Sequence, residues 1–175
     1  MERAWAWTRE PVSWADEGET LTWRCVGHSD FWRRTEGLPP VHDGCAYLTP
    51  VEGDFKLDLL VDGDFEDRYD QAGLMVQASE ERWLKAGLEL DGELWLSAVH
   101  TRDESDWSRE SWGASQARLR VVRDQGTIEV SVQLGDEWRI FRTLFLDGPV
   151  AVGPYSCAPR GHGFEARASE LRLTG

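Results

Sequence analysis

Residues 82–101 run Arg82-Trp83-Leu84-Lys85-Ala86-Gly87-Leu88-Glu89-Leu90-Asp91-Gly92-Glu93-Leu94-Trp95-Leu96-Ser97-Ala98-Val99-His100-Thr101. Leu84, Ala86, Leu88 and Leu90 fall on alternate positions, and Leu94, Leu96 and Ala98 resume the pattern after Asp91-Gly92. Apolar residues at period two mark a half-buried strand, and Asp-Gly between two such runs marks a hairpin. A two-residue loop would pair Glu89 with Leu94 and mix the faces. A three-residue loop over residues 90–92, with Gly92 left-handed, pairs Leu88 with Leu94 and Ala86 with Leu96. Apolar then meets apolar, and this is the register the pattern favours. The opposite face carries Trp83, Lys85, Gly87 and Glu89, with Trp95, Ser97, Val99 and Thr101 beside them.

The same period extends in both directions. Leu21, Trp23 and Cys25 alternate, as do Phe55, Leu57, Leu59 and Val61, and then Ala72, Leu74, Val76 and Ala78. Leu119 and Val121 follow, then Ile128, Val130, Val132 and Leu134, while residues 139–146 are apolar on both faces. Residues 150–157 and 163–173 complete roughly ten to twelve strands. Only residues 80–85 could open a short helical turn, and their apolar period is two rather than 3.6. Strands that are apolar on one side and polar or aromatic on the other suit two packed sheets better than a barrel. The expected fold is therefore all-β, a two-sheet antiparallel sandwich built as a single domain over residues 1–175.

The net charge of −13 disfavours a phosphate backbone or an anionic membrane surface, so neither nucleic acid nor membrane is an expected partner. Cys25, Cys45 and Cys157 are odd in number and lack C-x-x-C spacing, which reads as reduced core thiols. The N-terminal residues Met1-Glu2-Arg3-Ala4-Trp5-Ala6-Trp7 have no signal-peptide character, and no apolar run approaches the ~20 residues of a membrane span. A cytoplasmic location is the expectation. Ten Trp on one small domain point to an aromatic sheet surface as well as a core.

Several motifs in order carry a family resemblance. Asp70-Gln71-Ala72-Gly73-Leu74-Met75-Val76 precedes Trp83-Leu84-Lys85-Ala86-Gly87-Leu88-Glu89. Around them stand Asp30-Phe31-Trp32 with Thr35, Ser105-Asp106-Trp107-Ser108, and Val152-Gly153-Pro154-Tyr155 with Pro159 and Gly163-Phe164-Glu165. From about Trp14 to Leu173 the chain resembles a large bacterial and fungal family of unknown function. Fungal members of that family are described as regulators of enolase and galactose metabolism. The resemblance implies a jelly roll of the concanavalin A-like lectin/glucanase type, without implying an enzyme. His100 stands where the family pattern leads one to expect an aliphatic residue.

The candidate ligand-binding residues are Asp30, Trp32, Gln71, Trp83, Lys85, Glu89, Trp95, Asp106 and Trp107. An indole platform, a Lys–Glu pair and an amide are the parts that sugar recognition uses: a π-face for C–H stacking and polar groups for adjacent hydroxyls. The plainer reading is a solvated sheet face on which Lys85 and Glu89 form a weak ion pair. Asp30 and Asp106 also fit strand-start and turn-capping roles. Glu89-Leu90-Asp91-Gly92-Glu93 imitates the E-x-D-x-E of retaining β-glucanases, but a turn at Asp91-Gly92 prevents three carboxylates from projecting along one strand. No catalytic residue is assigned.

His28, His42, His100 and His162 are scattered, without the spacing of a zinc or copper site. The acidic stretch Asp62-Gly63-Asp64 with Glu66, Asp67 and Asp70 lacks the twelve-residue calcium-loop pattern and reads as a solvated loop. No metal and no cofactor is expected. Three functions remain open: a non-catalytic module binding a carbohydrate or sugar-like metabolite, a protein-interaction or regulatory domain, and a glycoside-active enzyme.

Overall fold

The computed structural model describes residues 3–33 and 37–175; Thr35 of the first family motif lies outside the described residues. The described residues form strands and no helix. The strands are numbered in chain order. One seven-stranded sheet runs β1 (Ala6–Trp7), β6 (Cys45–Val51), β15 (Val150–Cys157), β8 (Gln71–Ser79), β9 (Arg82–Asp91), β10 (Glu93–Arg102) and β11 (Glu104–Ser111). The other runs β14 (Glu137–Phe145), β13 (Thr127–Leu134), β12 (Gln116–Asp124), β7 (Phe55–Gly63), β16 (Glu165–Thr174), β3 (Thr20–Arg24) and β2 (Ser13–Asp16). A short hairpin, β4 (Phe31–Trp32) with β5 (Val41–His42), stands apart from both. All strand pairings are antiparallel. The all-β sandwich expected from the period-two pattern is the fold.

The alternating positions build the core between the sheets. Leu57, Leu59 and Val61 face Leu84, Ala86 and Leu88 in one buried cluster with Leu119, Val121, Ile128 and Val130. Trp23 is buried there too, and its indole N–H donates to Ser156 Oγ at 2.7 Å, which satisfies the polar atom a buried Trp carries. Of the stretch 139–146, apolar on both faces, residues 139–145 belong to the edge strand β14, where Ile140 and Phe145 are exposed, while Leu146 just beyond it is buried in the main core. Alternation cannot reveal an edge, because edge position depends on which strands remain unpaired. Glu80 and Glu81 form a tight turn, and residues 82–85 are already strand β9 rather than helix.

Two expectations about loops change. Gly92 is left-handed (φ 76°) as the hairpin requires, but the register pairs Leu90 with Leu94, Leu88 with Leu96 and Ala86 with Ala98. The shift from the expected register is two residues, so every side chain keeps its face. At the turn, Asp91 pairs with Arg68 and Arg109, each at 2.6 Å. The acidic stretch is likewise organised rather than merely solvated. Arg167 bridges Asp62 and Asp64 at 2.5 and 2.6 Å, and Asp70 Oδ2 accepts the N–H groups of Glu66 and Asp67.

Two bulk measurements check this fold. Far-UV circular dichroism should show a β-dominated spectrum with negligible helix. Cys25, Cys45 and Cys157 are free and buried, so protein denatured without reductant should release three titratable thiols. A helix content above about a quarter would contradict the strand assignment, and a single recovered thiol would contradict the thiol state.

Candidate functional site

The outer face of the first sheet carries its own small core. Phe31, Met75, Trp83, Val99, Tyr155 and Cys157 are buried there, away from the main cluster. The β4–β5 hairpin creates this burial by laying Phe31 edge-on against Trp83 and Tyr155, with His42 alongside. The polar face is therefore partly roofed, and what remains beside the roof is a pocket of about 790 Å³. Asp30, Trp32, Gln71, Lys85, Glu89 and Trp107 all line it.

Strand register explains why these residues meet. Gln71 lies opposite Glu89 and next to Cys157 on the neighbouring strands, while Lys85 lies opposite Met75 and Val99, with Trp107 one strand further out. Between these two rows sit Gly73 and Gly87, paired with each other. A Cβ on Gly87 would lie 2.1 Å from the Ala72 carbonyl oxygen, so no larger residue fits without moving backbone. Gly73 and Gly87 put no side chain between the two rows, and Lys85 Nζ lies 3.8 Å from Cys157 Sγ.

Lys85 is 1% exposed, and its ammonium donates to Asp30 Oδ1 at 3.0 Å. Burial works against that charge, but Asp30, Cys157 and Glu89 outweigh it and hold the lysine pKa above its ordinary value. Asp30 is itself fixed: its Oδ1 accepts the Phe31 N–H at 2.7 Å, and its own N–H donates to Asp43 Oδ1 at 2.9 Å. Glu89 is buried, and desolvation raises its pKa against the opposing Ser97 hydrogen bond and the charges of Lys85 and Arg109. Gln71 is buried, and its Oε1 has no hydrogen-bond partner among the described residues; the Tyr155 hydroxyl is in the same condition.

Three of the nine candidates sit elsewhere. Trp83 shares the face, but it is fully buried beneath the hairpin, its indole N–H donating to the Glu80 carbonyl at 3.2 Å. Asp106 points to the opposite side of β11, because alternation sends it there, and it pairs with Arg142 of the second sheet at 3.1 Å. Trp95 lies opposite Glu89 on the neighbouring strand β10 without lining the pocket, and it stacks on Arg109, whose guanidinium is 4.3 Å from its ring and 4.8 Å from that of Trp107. This stack props Trp107 at the pocket wall. His100 is half-buried opposite Asp106, and burial lowers its pKa.

The pocket also recruits residues that no strand pattern marks. His28, Leu38, Tyr69, Pro159 and Arg160 come from loops. Cys157, in the buried cluster on the outer face, is legible in the sequence, because it falls on the outward phase of residues 150–157.

Glu89→Gln should raise stability at neutral pH, measured as the urea midpoint, with the gain fading as pH falls. The folded state holds the Glu89 proton more tightly than the unfolded state, so its contribution is fully present below the ordinary value of 4.5 and is lost as pH rises through the folded pKa. Glutamine removes that loss. An E89Q protein less stable at neutral pH than at acid pH, relative to the parent, would contradict the assignment.

The protein-family match described as "Protein of unknown function (DUF1349)" spans residues 7–175. Regulation of enolase protein 1 from Saccharomyces cerevisiae is 34% identical over 176 residues, covering 96% of this chain and 88% of that protein. A solved structure of a functionally unknown protein from the same yeast superposes with a TM-score of 0.93 at 32% identity, over 98% of this chain and 96% of the other. A GH43 protein from Bacillus licheniformis gives a TM-score of 0.76 at 16% identity, covering 97% of this chain but only 36% of that one. A legume lectin-like domain from Entamoeba histolytica gives 0.61 at 9% identity, over 97% and 89% of the two chains. The last two establish the sandwich fold alone. The match across nearly every strand, together with the yeast relative, shows that this chain belongs to the DUF1349 family.

Proposed function

We propose that the protein is a non-catalytic, lectin-like binding module whose pocket takes a sugar or sugar-like polyol. The observation that carries this reading is the pocket floor, where Lys85, Asp30, Glu89 and the unpartnered Gln71 Oε1 mix donors and acceptors beneath the rings of Trp32 and Trp107. A hydroxyl both donates and accepts, so a ring bearing several of them meets a mixed floor in a way that neither a pure acceptor nor a pure donor can. Indole walls complement the C–H faces of such a ring. The lectin-like fold supports the reading as analogy only.

A second reading, a protein-interaction domain that regulates sugar metabolism, is favoured by the name of the yeast relative, regulation of enolase protein 1. A thermal-shift screen against neutral monosaccharides and polyols separates the two. A ligand at ~100 times its dissociation constant should stabilise the fold by about 2.7 kcal/mol. No shift with any sugar, combined with stable co-purification of one protein from lysate, would overturn the sugar reading in favour of the second. Among the described residues no helix is long and apolar enough to cross a membrane.

A further inference from the structure

We propose that Lys85 and Cys157 form an oxygen-bridged covalent cross-link, Nζ–O–Sγ, when the protein is oxidised, which makes the pocket floor a modification site whatever the pocket binds. The geometry is a triangle of three reactive atoms. Lys85 Nζ lies 3.8 Å from Cys157 Sγ, Asp30 Oδ1 lies 3.0 Å from that nitrogen, and the same oxygen lies 3.6 Å from the sulfur. Lys85 and Asp30 line a pocket of about 790 Å³, so dioxygen can reach the amine even though both side chains of the cross-link are buried. Nitrogen and sulfur need to approach by about 1 Å to share one oxygen, and the flexible four-carbon stem of Lys85 can supply that movement.

The alternatives open to this cysteine are weaker. Cys25 belongs to the cluster between the sheets, as does Cys45, whereas Cys157 belongs to the cluster on the outer face. The polar atoms that approach Cys157 Sγ are the lysine nitrogen and the aspartate oxygen.

The step balances with dioxygen as the oxidant. One oxygen atom enters the bridge and the other leaves as water, while nitrogen and sulfur each give up two electrons. Of the four protons on the ammonium and the thiol, one stays on nitrogen, two leave in the water and one passes to the Asp30 carboxylate. Two equivalents of a dithiol reverse the reaction, returning amine, thiol and water. Unlike the higher acids of cysteine, the bridge is thus recoverable.

The test is high-resolution mass spectrometry of the full-length protein, held in air-saturated buffer and compared with an anaerobic, dithiothreitol-treated sample. The oxidised protein should gain one oxygen and lose two hydrogens, about 14 Da, a mass distinguishable from methylation. Proteolysis should then yield one cross-linked peptide containing both Lys85 and Cys157, which dithiothreitol resolves into two. Cys157→Ser should abolish the gain with the fold intact, and Lys85→Arg should abolish it as well. One or two oxygens added to the Cys157 peptide alone, a disulfide from Cys157 to Cys25 or Cys45, or an unchanged mass after prolonged aeration would each overturn the proposal.

Discussion

Asp30→Asn should destabilise the protein by about 3–5 kcal/mol in urea unfolding at neutral pH, because it strands the buried Lys85 ammonium without its carboxylate. The substitution is nearly isosteric, and the amide oxygen can still accept the Phe31 N–H, so the loss reports charge rather than shape. Lys85→Met should cost less, since Asp30 is 23% exposed at its side chain and water can solvate it once the lysine is gone. The double variant should recover part of the Asp30→Asn loss, as happens when both members of a buried pair become uncharged.

The pH dependence has a definite sign. In the parent, the folded lysine pKa is raised, so its stabilisation is complete below the ordinary value of 10.5 and is lost as pH climbs through the folded value. In Asp30→Asn, burial dominates and the folded pKa falls below the unfolded one. The unfolded state then binds more protons, and the deficit shrinks as pH rises from about 7 toward about 10. A deficit independent of pH would mean that the ion pair is not its cause.

Trp83→Ala should cost about 3–5 kcal/mol of stability, a typical loss for a fully buried Trp replaced by Ala. For a chain of this size that lowers the melting temperature by roughly 10 °C. Its ring is packed by Phe31 and His42 beneath the hairpin, so it makes no direct ligand contact. Trp107→Ala should do the reverse. Trp107 is 41% exposed and touches mainly Arg109, so its removal should cost under about 1 kcal/mol of stability. It should weaken a bound sugar by about 1–3 kcal/mol, read by tryptophan fluorescence or calorimetry. If both variants lose stability equally and neither changes binding, the pocket wall has been misplaced.

The contrast between these two residues marks where reading the chain as a string reaches its limit. Period two places Trp83, Lys85 and Glu89 on one face, and they are on one face. Nothing in that period says which of them a distant hairpin will cover. Phe31 reaches Trp83 across 52 positions in the chain, and Asp30 reaches Lys85 across 55. Such contacts are set by how loops fold back over a sheet. Asp106 shows the same limit from another side: its neighbours suggest a binding loop, but it stands on a strand and faces Arg142.

What the sequence determined by itself is the all-β class, the membership of nearly every core position and the shared sheet face of Trp83, Lys85, Glu89 and Trp95. Those follow from backbone geometry, since successive side chains of a strand alternate and apolar ones must leave water. The tertiary structure alone decided that the polar face is roofed into a pocket, that Lys85 is buried against Asp30 and Cys157, and that the hairpin register slips by two. Burial and ion pairing depend on which distant segments meet. A two-residue slip leaves every face unchanged, so the alternating pattern carries no record of it.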